Sequence, residues 1–257
     1  MDFSGKAVLI TGSSSGIGKA TAIEFAKNGA SFVGINYLHA KDSAEETKRL
    51  VEAAGSKAVV IQADVSNEKQ AGGLVESFYK EFGRLDILVS NAGTTEIVDR
   101  SNFDALTTEV LDRVMHTNLY GPFFCTRAAS KIMKEQGSGN IVIVASIAAV
   151  TLGGSSIPYN LSKVALLRLV ELLTKPLSPE IRINCVCPGT VSDSNWFSGS
   201  ELAMSLKKRV DEGGANSPLK RNGMSLDYAK AILFFASEQS EYCTGSYLVV
   251  DGGFRVH

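Results

Sequence analysis

The sequence predicts a doubly wound α/β fold, a parallel sheet of about seven strands with helices on both faces. Three observations carry that prediction. Short Val/Ile-rich runs alternate with helical patterns from end to end. Most of these runs show little polar alternation, as strands buried on both faces require. A glycine-rich turn joins the first run to the first helical pattern.

In chain order, strand Ala7 to Ile10 leads through Thr11-Gly12-Ser13-Ser14-Ser15-Gly16-Ile17-Gly18 into a helix over Gly16 to Lys27. Strand Ser31 to Ile35 precedes a helix over Ser43 to Ala54, and strand Ala58 to Gln62 precedes one over Glu68 to Phe82. Strand Ile87 to Ser90 is followed by helices over Thr107 to Tyr120 and Pro122 to Glu135, broken near Gly121. Strand Asn140 to Ala145 feeds a helix from Ser156 to Lys175, which Pro176 should stop. Strand Arg182 to Cys187, a helix over Ser225 to Ala236 and strand Tyr247 to Val250 complete the pattern. No repeat or Pro-rich linker divides the chain, so residues 1–257 read as a single domain. The stretch Thr190 to Asn222 is Ser/Gly/Asn-rich, weakly periodic and long for a connection, and reads as a substrate lid.

Composition narrows the function classes. The net charge of −1 gives no electrostatic case for nucleic acid or an anionic membrane. The apolar run Ile141 to Val150 is too short to span a bilayer, and the early first strand leaves no signal peptide expected. Cys125, Cys185, Cys187 and Cys243 lack metal-ligand spacing, so free thiols, no metal site and a reducing, cytoplasmic location are expected. Only three histidines are present, which disfavours a His-centred triad.

The turn Gly12 to Gly18 is built for phosphate. Glycines let the backbone approach a pyrophosphate at the positive end of a helix. This is the Rossmann-type arrangement, with one residue more between the first two glycines than the common fingerprint. The second strand ends near Asn36 and Tyr37, where an acid would hold the ribose hydroxyls of NAD. Neither residue is acidic. Ser13 to Ser15, His39 and Lys41 offer donors or positive charge to a 2′-phosphate, so NADP(H) is favoured and NAD(H) remains possible.

Tyr159 and Lys163 lie four residues apart in Tyr159-Asn160-Leu161-Ser162-Lys163, on one face of a helix. A nearby ammonium should lower the phenol's ionisation constant and fit it for proton transfer to a carbonyl. Tyr37 and Lys41 share the spacing, but Tyr37 follows a strand and reads as turn, so nothing aligns that pair. Pro158 at a helix start, with Ser155 or Ser156 as caps, places Tyr159 in the first turn.

In this order these motifs resemble the short-chain dehydrogenases/reductases. The resemblance covers nearly the whole chain: the Thr11-to-Gly18 turn, Asp64-Val65, Asn91-Ala92-Gly93, Asn118, Ser146, Tyr159 with Lys163, and Pro188-Gly189. It implies Tyr159 as general acid/base and Lys163 as its tuner and a nicotinamide-ribose ligand. Ser146 is implied on the substrate oxygen, and Asn118 as holder of a relay water. Asp64 and Val65 are implied beside the adenine, and Asn91 to Gly93, Pro188, Gly189 and Val191 along the cleft. The Tyr-to-Lys interval favours carbonyl over carbon–carbon double-bond reduction. Three positions depart from the family pattern. Ser90 replaces a usual Asn, Ser15 a frequent basic residue, and Asp193 a Thr near the carboxamide.

The implied activity is hydride transfer between NADP(H) and a ketone, aldehyde or secondary alcohol. An NAD-linked sugar or polyol dehydrogenase is the alternative enzyme, and a catalytically inactive dinucleotide sensor the non-enzyme alternative. Substrate contacts are expected from Ile97, Val98, Leu152, Ile157, Trp196, Phe197 and Met204. The helix after Ser156 carries more apolar residues than one stripe needs, which predicts a homo-oligomer, as a tetramer in line with the resemblance.

Overall fold

The computed structural model describes residues 1–99, 101–194, 196, 201–214 and 217–256, without the side chains of residues 209 and 211. Its strands are β1 (Ala7–Ile10), β2 (Phe32–Tyr37), β3 (Lys57–Gln62), β4 (Ile87–Ser90), β5 (Gly139–Val144), β6 (Ile181–Pro188) and β7 (Tyr247–Val250). They form one sheet in the order β3-β2-β1-β4-β5-β6-β7, each neighbouring pair parallel. The helices are α1 (Gly16–Lys27), α2 (Lys41–Ala53), α3 (Glu68–Phe82), α4 (Thr108–Met115), α5 (Gly121–Gln136), α6 (Ile157–Leu177), α7 (Glu201–Gly213) and α8 (Ser225–Ala236).

Alternate residues of β1 explain the two layers. Ala7 and Leu9 join a core with Leu74 and Phe78 of α3, Met133 of α5 and Leu166 of α6. Val8 and Ile10 join the opposite core with Phe25 of α1, Val51 of α2 and Ile232 of α8. All four β1 side chains are fully buried, so an uninterrupted apolar run is what the sheet centre requires. β1 is flanked by β2 and β4, so strand order reverses there and a cleft opens at the carboxyl ends.

Four details depart from the sequence reading. Strand β2 runs on to Tyr37, which is buried rather than in a turn; Lys41 opens the following helix, so this pair shares no helical face. No break occurs at Gly121: α4 passes through a π turn, His116–Tyr120, into α5. Helix α6 continues through Pro176 to Leu177. Helix α7 lies inside the stretch expected to be an irregular lid. Its Leu202, Leu206 and Val210 recur at helical spacing, but the flanking Ser/Gly-rich residues mask that period.

Among the described residues no helix is long and apolar enough to cross a membrane. No group of three or more His, Cys, Asp or Glu side chains is arranged to hold a metal ion among them either.

Candidate active site

The carboxyl ends of β1, β4, β5 and β6 bring the sequence motifs to one cleft. Thr11 organises its base. Its hydroxyl accepts from the backbone N–H groups of Asn91 and Ala92, each at 2.9 Å. The Asn91 amide returns two bonds of 3.0 Å, to the Thr11 and Gly12 carbonyls. Gly12 has φ +60°, and a Cβ there would lie 2.9 Å from the Ala92 Cα. Only glycine meets both demands. These bonds give Asn91 a positioning role that its motif does not reveal, and they add Thr11, which sequence reasoning missed.

The first turn of α1 is free for an anion. Ser15 occupies the cap position with extended backbone, its hydroxyl makes no capping bond, and the first turn carries no acid. The N–H groups of Gly16, Ile17 and Gly18 therefore face their positive end toward the cleft. Ser194, from the loop after β6, approaches this turn: a Cβ on Gly16 would be 4.0 Å from it.

Two residues expected to face the adenosine ribose phosphate are turned inward. The Ser13 hydroxyl donates to the Ile10 carbonyl at 2.8 Å and accepts from Asn36 N–H at 3.1 Å. The Asn36 side chain accepts from Gly12 N–H at 3.0 Å and donates to the Ala63 carbonyl at 3.1 Å and that of Ile61 at 3.3 Å. Both serve the turn itself, because a buried amide must satisfy its polar atoms within the protein. Ser14, Ser15, Tyr37, His39 and Lys41 remain at this end. Asp64 accepts from the N–H and hydroxyl of Ser66, at 2.9 and 2.6 Å, while Asn67 caps α3. Val65 is buried against the start of α5.

Ser146, Tyr159 and Lys163 converge at the ends of β5 and α6. Ser146 caps a short 3₁₀ turn, accepting from Ala148 N–H at 3.1 Å. Ser156 caps α6 by accepting from Tyr159 N–H at 3.4 Å. That cap starts the helix in the register that puts Tyr159 and Lys163 on its cleft side. Lys163 is almost fully buried and its Nζ donates to the Val144 carbonyl at 3.1 Å. The ammonium stands 5.6 Å from the Tyr159 ring centre. Burial pushes the Tyr159 phenol up to about 12, against a hydrogen bond with Ser146 that pulls it down. The lowering expected from Lys163 is not found: desolvation penalises the phenolate and outweighs the Ser146 bond. Burial also brings the Lys163 ammonium down to about 8.

Asn118 lies in the π turn and is fully buried. Its side chain accepts from Thr94 N–H at 2.8 Å and donates to the Thr94 carbonyl at 2.9 Å and the Ser162 hydroxyl at 3.0 Å. It thereby ties the segment after β4 to the helix carrying Lys163. A Cβ on Gly93 would meet Asn118 Oδ1 at 3.4 Å, Lys163 Nζ at 3.7 Å and Trp196 Cη2 at 3.8 Å. The three side chains meet over this bare backbone.

After β6, Gly189 N–H donates to the Val250 carbonyl at 2.9 Å, and Val191 bridges to Gly223. Asp193 points away from the cleft. Its carboxylate accepts from the N–H and hydroxyl of Ser225, at 2.8 and 2.9 Å, at the start of α8. Of the residues expected on the substrate side, Ile97, Val98 and Ile157 are half-buried, and the Trp196 ring centre is 5.6 Å from that of Tyr159. Leu152 and Met204 are exposed, and Phe197 lies outside the described residues. The hydroxyls of Thr95 and Ser155, the latter a cap candidate whose place Ser156 takes, face each other at 2.5 Å.

Comparison with known proteins agrees with this layout. A family model described as enoyl-(acyl carrier protein) reductase matches residues 12–255. An uncharacterized oxidoreductase of Thermotoga maritima is 38% identical, with 98% of each chain covered. L-rhamnose 1-dehydrogenase (NAD(P)(+)) of a Sphingomonas species is 37% identical over 98% of this chain and 97% of its own. The crystal structure of NADPH-dependent 3-quinuclidinone reductase from Rhodotorula rubra superposes with a TM-score of 0.87 at 28% identity, covering 100% of this chain and 93% of that one. Together with the parallel sheet and its glycine turn, these matches establish that the chain belongs to the short-chain dehydrogenase/reductase family of NAD(P)-dependent oxidoreductases.

Proposed function

We propose that the chain interconverts a ketone or aldehyde and the matching secondary alcohol with NADP(H), Tyr159 serving as general acid and base. The observation that carries this reading is the convergence of Ser146, Tyr159 and Lys163, with the Lys163 ammonium beside the bare backbone of Gly93. The cleft suits a dinucleotide: an uncapped helix start without acids, and glycines where a Cβ would fill the space. Gly12 and Ser14 to Gly18 would hold the pyrophosphate, Tyr37, Asp64 and Val65 the adenosine end. Asn91 to Gly93, Pro188, Gly189 and Val191 would line the nicotinamide end, with Lys163 on the ribose. When bound, the nicotinamide supplies or accepts the hydride.

Tyr159 and Ser146 do the protein's part in reduction. The carbonyl oxygen gains charge as its carbon is reduced, and both hydroxyls donate to it there. A phenol near 12 is protonated at neutral pH and ready to give its proton. For alcohol oxidation it would first lose that proton, which the neighbouring Lys163 ammonium would favour. Asn118 fixes Lys163's helix to the segment after β4, and its Oδ1 keeps a lone pair for the proposed relay water. The single helical turn between Tyr159 and Lys163 supports carbonyl over enoyl reduction.

NADP(H) is favoured because β2 ends without an acid and His39 and Lys41 follow it. A cytoplasmic homotetramer belongs to the same reading. The similarity to L-rhamnose 1-dehydrogenase and the hydroxyls of Thr95 and Ser155 favour a sugar or polyol substrate as the second reading.

One experiment tests the assignment. Turnover of a carbonyl and alcohol panel is followed at 340 nm with both cofactors, using the wild type and Tyr159→Phe. The variant is expected to lose about 10²–10⁴-fold in kcat while binding cofactor within a few-fold of wild type. Near-normal turnover by the variant would falsify the proton-transfer role. A higher kcat/KM with NADH would overturn the cofactor preference, and cofactor binding with no turnover across the panel would favour a sensor.

A further inference from the structure

We propose that Ser162 is a positioning residue for proton transfer, its hydroxyl holding the Asn118 amide in register with Lys163. The inference rests on the functional reading above, since it concerns how the two groups assigned to the proton relay are kept together.

Ser162 is fully buried on α6, one residue before Lys163 and three after Tyr159. Serine is a poorer helix former than alanine, and a buried hydroxyl must find its partners inside the protein. This one donates to the Tyr159 carbonyl at 2.7 Å and accepts from Asn118 Nδ2 at 3.0 Å. The first bond is local, of a kind that serines inside helices commonly make. It uses the hydroxyl proton and so turns a lone pair outward from the helix. The second bond reaches 44 positions back along the chain, to the π turn.

That bond completes the surroundings of the Asn118 amide. Thr94 N–H donates to Oδ1 at 2.8 Å, and Nδ2 donates to the Thr94 carbonyl at 2.9 Å. The Thr94 pair decides which end of the amide is oxygen. It ties the amide to the segment after β4, whereas Ser162 ties it to α6. With both N–H groups engaged, the amide keeps one free lone pair, on Oδ1.

Lys163 is held separately, its Nζ donating to the Val144 carbonyl at 3.1 Å. The two side chains approach the same point: a Cβ on Gly93 would lie 3.4 Å from Asn118 Oδ1 and 3.7 Å from Lys163 Nζ. The bond from Asn118 to the residue next to Lys163 therefore sets how amide oxygen and ammonium stand to each other. Without the Ser162 oxygen, Nδ2 keeps a buried donor that lacks its acceptor. The amide relieves that cost by rotating, and rotation displaces Oδ1 relative to Lys163. Ser162 is itself fully buried, so its effect passes through Asn118 and not through contact with substrate.

The test is a double-mutant cycle: wild type, Ser162→Ala, Asn118→Ala and the double variant. It reads kcat for carbonyl reduction from NADPH oxidation, and NADPH dissociation constants by nucleotide fluorescence. Ser162→Ala is expected to lower kcat about tenfold, as leaving a buried donor unpaired does, with NADPH affinity within about twofold of wild type. In the Asn118→Ala background the same substitution should cost less than about twofold, because members of one hydrogen-bond network do not add. Ser162→Thr, which keeps a hydroxyl able to bond the same carbonyl, should recover most of kcat. Equal losses in both backgrounds overturn the proposal, because Ser162 then acts without Asn118. An unchanged kcat in Ser162→Ala overturns it too, as does a loss confined to NADPH affinity. If Ser162→Ala does not fold, Ser162→Cys, close to serine in size but a weaker hydrogen-bonding group, takes its place in the cycle under the same criteria. A wild type that turns over no carbonyl or alcohol fails the functional reading itself and this inference with it, a result distinct from a cycle whose losses add.

Discussion

At the residue scale, chemistry was legible where side-chain type and spacing carry it. That Tyr159, Lys163 and Ser146 come together, and that a glycine turn opens the first helix, could be read because side-chain type and spacing place them. Their environments could not be read. The Tyr159 phenol lies up at about 12 and not below its ordinary value, because burial is a property of the fold and not of the four-residue interval. Asn36 and Ser13 look like ligands by position yet spend their polar atoms on the turn. Gly93 offers a prediction at this scale. The contacts awaiting a Cβ there, at 3.4 to 3.8 Å, are ordinary ones, so Gly93→Ala should fold normally. Its methyl would nevertheless stand beside Lys163 Nζ and Asn118 Oδ1, at the proposed ribose site. NADPH affinity should fall about tenfold or more, roughly 1.4 kcal/mol, with the melting temperature nearly unchanged. Isothermal titration and thermal unfolding measured together decide it, and unchanged affinity sinks the assignment of this end of the cleft.

At the element scale, strands and long helices followed from their apolar patterns, with ends displaced by a few residues. The π turn at His116–Tyr120 left no such mark. It depends on Asn118 reaching both Thr94 and Ser162, contacts between segments far apart in sequence. Asp193 was legible only as an oddity. The fold gives it a task, since it accepts from the first N–H of α8 across 32 positions of sequence. Asp193→Ala should therefore cost about 1 kcal/mol, as losing a helix cap does, and lower the melting temperature by about 2–4 °C. Differential scanning calorimetry measures this. A fall confined to activity, with unfolding unchanged, would instead place the carboxylate in the cleft.

At the scale of the whole molecule, the sheet order and the two helical layers follow from repeated strand–helix units and the reversal at β1. Association is written more faintly. Helix α6 keeps Leu161, Val164 and Leu172 exposed, at 57%, 49% and 67%. That apolar surface is left uncovered among the described residues and supports the proposed oligomer. Leu161→Lys combined with Leu172→Lys should shift the sedimentation coefficient to that of a smaller species. A wild type that already sediments as a monomer at micromolar concentration removes the oligomer from the reading.

The Asn118 clamp has a consequence for how such a protein can change. It grips the chain at Thr94, ahead of Ile97 and Val98, which are expected on the substrate side. Everything from Thr95 onward hangs from a fixed post, and the lysine's helix is secured to the same post through Ser162. Substitutions or length changes in that stretch need not disturb the proton-transfer groups. On the proposed function, the architecture separates the part that would decide which molecule enters from the part that would react with it, so new substrates would be reachable by altering one side of the clamp alone.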